Sequence, residues 1–155
     1  VGLSDAAFPG IERSRDFVQE IVRENRVVYG ITTGVGELSN SLIPPEDAER
    51  LQVNLIRSHA VNVGEPFPED VVRAVILLRA NALAKGFSGV RVRLIQSLLD
   101  LLNKKVCPYI PSKGSVGASG DLSPLSHLAL VLIGEGECLV EGRRRPAGDD
   151  HKHRV

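Results

Sequence analysis

The chain has 155 residues, 43% hydrophobic and 25% charged, which is enough for one domain with a sizeable core and is typical of a soluble globular protein. Its 19 basic residues balance 19 acidic ones, which gives no indication of a nucleic-acid or membrane partner. The chain has no apolar run of ~20 residues, no visible signal peptide, and only two cysteines, Cys107 and Cys138. We therefore expect a protein of the reducing cytoplasm.

The first half of the chain predicts two helices separated by a glycine-rich loop. Apolar residues at helical spacing predict the first helix over residues 10–25. A short extended run, residues 27–29, then leads into a loop rich in Gly and Thr that continues to residue 40. Two prolines, Pro44 and Pro45, favour the start of the second helix, and Ser58-His59 lies at its far end.

The second half predicts three more helices and a small β element. Residues 69–85 are apolar almost all round, which indicates a helix buried on several sides. Further helices are predicted over residues 90–105 and 122–133, and a strand or hairpin arm over residues 137–144. Helices this apolar need cover from further sequence or from other subunits.

The glycine-rich segment 114–127 contains the triplet Ala118-Ser119-Gly120, which can cyclise on itself. The amide nitrogen of Gly120 would attack the carbonyl carbon of Ala118. Loss of two waters would leave an imidazolone ring with an exocyclic methylidene derived from Ser119. Glycine offers an unhindered nitrogen and broad backbone freedom, alanine adds no bulk, and serine carries the hydroxyl that leaves. The product is a carbon electrophile, which the ordinary side chains do not supply.

Three blocks of the sequence, in this order, resemble the aromatic amino acid ammonia-lyase family, which includes histidine and phenylalanine ammonia-lyases and tyrosine aminomutases. The blocks are Val28-Tyr-Gly-Ile-Thr-Thr-Gly-Val-Gly36, Asn54-Leu-Ile-Arg-Ser-His59 and residues 114–137. The resemblance covers nearly all of residues 27–137. It implies a mostly α fold, the amino-terminal portion of a long-helix (fumarase-like) bundle with a small β element.

The resemblance also implies a set of site residues. Ala118, Ser119 and Gly120 would form a methylideneimidazolone group (MIO) autocatalytically, without an external cofactor. Tyr29 would act as the base that removes a β-proton. His59 would contact the side chain of the substrate, a small aromatic amino acid. The family further implies a homotetramer whose active sites are built from several subunits.

The implied reaction is elimination of ammonia from an aromatic L-amino acid, with L-histidine as the first candidate and urocanate as its product. The Ser58-His59 pair resembles histidine ammonia-lyases and some tyrosine-acting bacterial enzymes. Thr32 and Val35, however, replace the Asn and the aromatic residue typical of histidine ammonia-lyases, and the Thr-Thr form occurs elsewhere in the family. Phenylalanine or tyrosine ammonia-lyase and tyrosine aminomutase activities therefore stay open.

Taken singly, these residues have plainer interpretations. The triplet resembles a helix-capping turn, Tyr29 a half-buried packing residue, and His59 a polar residue stabilised by a helix dipole. A serine-hydrolase elbow is disfavoured because residues 117–120 are one residue short of Gly-x-Ser-x-Gly. A dinucleotide site is disfavoured because Gly34-Val-Gly36 lacks the third glycine.

The chain is expected to comprise an amino-terminal lyase region, residues 1–145, and a polar tail, residues 146–155, that is disordered or truncated. His127 is expected to be structural. His151 and His153 lie in the tail without an evident third ligand, so no metal site is predicted. The chain contains no Met, and it is interpreted as part of a longer enzyme. A catalytically inactive truncated fragment is the alternative from a different functional class.

Overall fold

The structure, a computed structural model, describes residues 1–36, 43–115 and 122–148. Helices dominate these residues, which confirms the predicted fold class. After a 3-10 turn at Asp5–Ala7, the helices are α1 (Phe8–Arg23), α2 (Pro45–His59), α3 (Glu69–Ala84), α4 (Val92–Asn103) and α5 (Leu122–Leu132).

The strands of the described residues form two small antiparallel sheets. Their bounds are β1 (Val63–Pro66), β2 (Val106–Pro108), β3 (Pro111–Lys113), β4 (Glu137–Val140) and β5 (Arg143–Pro146). β1 pairs with β3, with Val63 opposite Lys113, and the other sheet has the order β2-β4-β5. The strand or hairpin arm predicted at residues 137–144 is therefore the hairpin β4–β5.

The core lies where α3 and α4 pack side by side. The side chains of Ile76, Ile95 and Leu98 are at most 1% exposed, and burying each contributes about 1.5–3 kcal/mol relative to leaving it in water. The remaining elements close around this pair and add the rest of the cluster. Its buried members are Ile11, Val72, Ile76, Ala80, Leu83, Ile95, Leu98, Leu99, Leu101, Leu102, Cys107, Ile110, Leu128, Val131 and Cys138.

Only one face of α3 is buried by the described residues. On its other face Leu77 and Leu78 remain 45% and 66% exposed. Beside that face, Val71 and Leu78 line an open groove of about 380 Å³ that reaches Leu125 on α5. The described residues thus leave this outer apolar face of α3 partly uncovered. This agrees with the expectation that the helix is covered by further sequence or by another subunit.

Two local expectations need correction. The extended run predicted at residues 27–29 is wrong at Tyr29, because residues 29–32 form a turn held by side-chain hydrogen bonds. β1 lies in a segment for which no element was predicted. Its pairing with β3 places Val63 opposite Lys113, 50 positions later in the chain, which local periodicity does not reveal.

The connection between α3 and α4 packs tightly against α1 through two glycines. A β-carbon on Gly86 would lie 2.5 Å from the carbonyl carbon of Gly10, and one on Gly89 would lie 2.3 Å from Cγ2 of Val18. Both glycines have positive φ, +74° and +63°, which other residues adopt only with strain. The approach of α1 to this turn therefore requires glycine at both positions.

We expect Gly86→Ala to lower the free energy of unfolding by about 1–3 kcal/mol or more, because alanine would add backbone strain and collide with main-chain atoms. Gly10→Ala is the matched control, since its β-carbon would meet nothing within 4 Å. Alanine is also more favourable than glycine inside a helix, by up to about 1 kcal/mol. Urea unfolding of both variants measures the difference. Equal midpoints would contradict the close packing of α1 on this turn.

Candidate functional site

The triplet Ala118-Ser119-Gly120 lies outside the described residues, so its predicted cyclisation stays a prediction. The structure does describe both flanks of that segment. On one side β3 ends at Lys113 and is followed by Gly114, whose φ is +135°. On the other side α5 begins at Leu122. The triplet segment thus connects the end of β3 to the start of α5.

Tyr29 lies in a turn that the hydroxyl of Thr32 holds together. Thr32 Oγ1 accepts a hydrogen bond from the Val28 N–H at 2.9 Å and donates to the Arg26 carbonyl at 2.5 Å. The Thr32 N–H also donates to the Val28 carbonyl at 3.1 Å. These bonds give the chain a turn where β-branched residues alone favour an extended strand.

The hydroxyl of the next threonine, Thr33, holds the backbone that follows Tyr29. Thr33 is 4% exposed, and its Oγ1 accepts a hydrogen bond from the Gly30 N–H at 3.3 Å and donates to the Gly34 carbonyl at 2.9 Å. The phenol of Tyr29 is 64% exposed, and its oxygen accepts a hydrogen bond from the Gly36 N–H at 3.3 Å. The turn thus presents a phenolic oxygen at the surface on a constrained backbone.

His59 is the last residue of α2, as predicted. Its Nδ1 lies 2.8 Å from the Leu55 carbonyl and 3.1 Å from Ser58 Oγ. A carbonyl only accepts, so Nδ1 carries the hydrogen in this arrangement, and in the neutral ring Nε2 carries the lone pair. The imidazole is half-buried and presents Nε2 as a hydrogen-bond acceptor.

The Tyr29 turn and His59 are joined to opposite ends of α2. The Thr32 carbonyl accepts a hydrogen bond from the Ile43 N–H at 3.1 Å, just before α2 begins. His59 ends that helix of 15 residues, which spans ~22 Å at 1.5 Å per residue. The described contacts therefore do not bring Tyr29 and His59 together within one copy of this chain.

A buried polar network begins three residues after His59. Asn62 is 7% exposed, and its main-chain N–H and both ends of its side-chain amide have hydrogen-bond partners. Its N–H donates to His127 Nε2 at 3.2 Å, its Nδ2 donates to the Pro111 carbonyl at 2.8 Å, and its Oδ1 accepts a hydrogen bond from Ser123 Oγ. Asn62 therefore ties the end of α2 to β3 and to the first turns of α5.

Asn62 also contacts the near flank of the triplet segment. A β-carbon on Gly114 would lie 2.7 Å from Asn62 Oδ1 and 3.0 Å from Asn62 Cα. Ser123, on the far flank, is bonded to the same Oδ1. Both flanks of residues 116–121 thus meet at one amide side chain.

His127 is structural in the described contacts, which agrees with the expectation from sequence. Burial lowers the pKa of His127 below its ordinary value, because desolvation disfavours the charged imidazolium. The neutral ring can accept the hydrogen bond from the Asn62 N–H, whereas the imidazolium could not. The lowered pKa and the acceptor role are therefore consistent with each other.

An ion pair also joins α2 to the turn after α5. Arg57 donates through Nε to one Glu135 oxygen at 2.9 Å and through Nη2 to the other at 2.5 Å. This hydrogen bonding raises the pKa of Arg57 and lowers the pKa of Glu135. Because the Arg57 and Glu135 side chains are 53% and 38% exposed, solvent screens the ion pair and its contribution to stability is small.

Asn62 and Ser123 were missed in the sequence because their roles depend on distant partners. The only local signal is a polar residue between two valines, Val61-Asn62-Val63, directly after a helix.

Among the described residues, no group of three or more His, Cys, Asp and Glu side chains could hold a metal ion. None of the helices described has the length and apolar character to cross a membrane.

Comparison with known proteins identifies the relatives of this chain. The sequence profile of the aromatic amino acid lyases matches residues 1–154. The histidine ammonia-lyase of Geobacillus sp. (strain WCH70) is 61% identical over 144 residues, which are 93% of this chain and 28% of that protein. The chain thus spans about 28% of the length of the curated relatives it matches.

Two solved structures have the same fold over this region. The histidine ammonia-lyase of Trypanosoma cruzi matches with a TM-score of 0.84 and 43% identity, over 96% of this chain and 29% of that chain. The phenylalanine aminomutase of Pantoea agglomerans matches with a TM-score of 0.90 and 35% identity, over 96% of this chain and 28% of that chain.

Proposed function

The chain belongs to the aromatic amino acid lyase family, and we propose that, within a protein of the length of its relatives, it eliminates ammonia from an aromatic L-amino acid. The proposed substrate is L-histidine and the proposed products are urocanate and ammonia. The observation that carries the proposal is the 61% identity to a histidine ammonia-lyase over 93% of the chain. An inactive fragment is the alternative for the 155 residues in isolation.

The proposed electrophile is the MIO group made from Ala118, Ser119 and Gly120. Attack of the Gly120 nitrogen on the Ala118 carbonyl carbon forms one C–N bond. The first water takes the carbonyl oxygen and the amide hydrogens of Gly120 and Ser119. The second takes the Ser119 hydroxyl and its α-hydrogen. The ring therefore forms without an oxidant or an external cofactor.

The described flanks of the triplet fit this chemistry. Gly114 and Ser123 both meet the side chain of Asn62, so the segment between them is constrained at both ends. Such constraint reduces the entropy that a cyclisation has to overcome. When formed, the MIO group supplies an electrophile for the substrate amine and so improves ammonia as a leaving group.

Tyr29 is the proposed base. Its oxygen would accept a proton from the β-carbon of the substrate, the C–H electron pair would form the Cα–Cβ double bond, and the amine would leave the α-carbon as ammonia. The exposed phenol on a turn held by Thr32 and Thr33 supports this role, because a base must reach substrate without distortion of its backbone.

His59 is the proposed contact for the substrate ring. With Nδ1 directed to the Leu55 carbonyl, Nε2 is the atom that can accept a hydrogen bond from an imidazole N–H or a phenol. This arrangement supports histidine or tyrosine rather than phenylalanine as substrate. The likeness to a phenylalanine aminomutase keeps an aminomutase, which would return ammonia to the β-carbon, as the second candidate.

We also propose that the site is assembled from several subunits of a homotetramer. Tyr29 and His59 are joined to opposite ends of α2, so a site that contains both would need residues from a second copy. The exposed leucines on the outer face of α3, Leu77 and Leu78, support a helix-packing surface for further chain or another subunit.

The modification is tested by mass. In the full-length protein, we expect the peptide containing Ala118-Ser119-Gly120 to be lighter than its sequence by two waters. Ser119→Ala should abolish both this loss and turnover, because alanine has no hydroxyl to eliminate. Peptide mass spectrometry and urocanate absorbance measure the two effects. An active wild-type enzyme with unmodified Ser119 would contradict the proposal.

We expect Tyr29→Phe to reduce turnover by about 10²–10⁴-fold, the range typical for loss of a general acid–base group. The fold and the triplet modification should persist, because the phenol is exposed and its oxygen, among the described residues, accepts one long hydrogen bond, from the Gly36 N–H at 3.3 Å. Turnover close to wild type would make Tyr29 a surface residue without a catalytic role.

We expect His59→Phe to lower kcat/KM for histidine and tyrosine and to raise the relative activity on phenylalanine. A ring that hydrogen-bonds to His59 would lose a partner, at a cost of about 1–3 kcal/mol, or roughly 5–150-fold. Absorbance of the three acrylate products measures the ratios. Unchanged ratios would place substrate discrimination in other residues.

A further inference from the structure

The only two threonines of the chain are adjacent, and both hydroxyls bind the backbone around Tyr29. Thr32 Oγ1 holds the N–H of Val28, the residue before Tyr29. Thr33 Oγ1 holds the N–H of Gly30, the residue after it. Each hydroxyl also donates to a carbonyl, Thr32 to Arg26 and Thr33 to Gly34. Both main-chain neighbours of Tyr29 are therefore fixed by side chains.

The surrounding glycines make this fixation necessary. Gly30 and Gly36 adopt φ values of +70° and +59°, a region open to glycine at little cost, but glycine also allows many other conformations. A turn that contains them therefore needs other interactions to remain in one arrangement. The threonine hydroxyls provide such interactions, and Thr33 is buried, so water would not readily replace its hydroxyl.

We propose that Thr32 and Thr33 are positioning residues for the reaction, because their hydroxyls fix the backbone on both sides of Tyr29 and so direct its phenol. The inference rests on the proposed role of Tyr29 as base. It goes beyond that role by assigning a catalytic consequence to two residues that do not need to touch the substrate.

The test uses Thr33→Val and Thr32→Val in the full-length enzyme. Valine keeps the branched shape but can neither accept nor donate a hydrogen bond. We expect kcat to fall about tenfold for each variant while KM changes less than about twofold, because binding is kept and the base is misdirected. Thr33→Ser and Thr32→Ser keep the hydroxyl and should restore most of kcat.

Ser14→Ala is the matched control. Ser14 Oγ also accepts a hydrogen bond from a main-chain N–H, that of Gly89 at 2.9 Å, in the turn after α3. Its loss should lower thermal stability to a similar extent without lowering kcat. Hydrogen–deuterium exchange of the peptide spanning residues 26–36 should accelerate in the Thr→Val variants and stay unchanged in Ser14→Ala.

The outcomes separate this inference from the proposed function. Full kcat in both Thr→Val variants, or equal losses in the Thr→Ser variants, would overturn the positioning role. Wild-type turnover in Tyr29→Phe would instead overturn the role of Tyr29 as base. In that case faster exchange in the Thr→Val variants would still report a fixed turn, but the catalytic consequence inferred here would be rejected.

Discussion

The candidate site depends on the hydrogen bonds of one buried amide, Asn62. Its side-chain amide bonds to Ser123 on α5 and to Pro111 on β3, and the main-chain N–H of the same residue donates to His127 on α5. Leaving one such group unpaired in a buried position costs about 1–3 kcal/mol. The amide therefore holds the end of α2, where His59 lies, in a fixed relation to both flanks of the triplet segment.

The helices were predictable from the sequence, whereas the polar contacts that organise the site were not. Apolar periodicity is a local signal, and it located the helix that ends at His59. The bonds of Asn62 join residues 49, 61 and 65 positions apart, and no local pattern encodes such pairing. At the Tyr29 turn a local pattern was present but misleading. The β-branched neighbours indicated an extended strand, and the hydrogen bonds of the Thr32 hydroxyl override that preference.

The family resemblance identified residue types, and the structure adds how they are held. Tyr29 belongs to a turn joined to the start of α2, whereas His59 belongs to its end. Different local contacts therefore hold Tyr29 and His59, although both are joined to the same helix, α2. The same helix is anchored at its far end to the turn after α5 by Arg57 and Glu135. Helix α2 thus separates the two candidate site residues, Tyr29 and His59, by its full length.

The contact between Gly114 and Asn62 has an evolutionary consequence. A side chain at position 114 and the amide at position 62 would occupy the same space, and the Ser123 hydroxyl donates a hydrogen bond to that amide. A change at one of these positions alters what the others can accept. Positions 62, 114 and 123 should therefore be inherited as a correlated set, with a small apolar residue at 123 accompanying loss of the amide at 62.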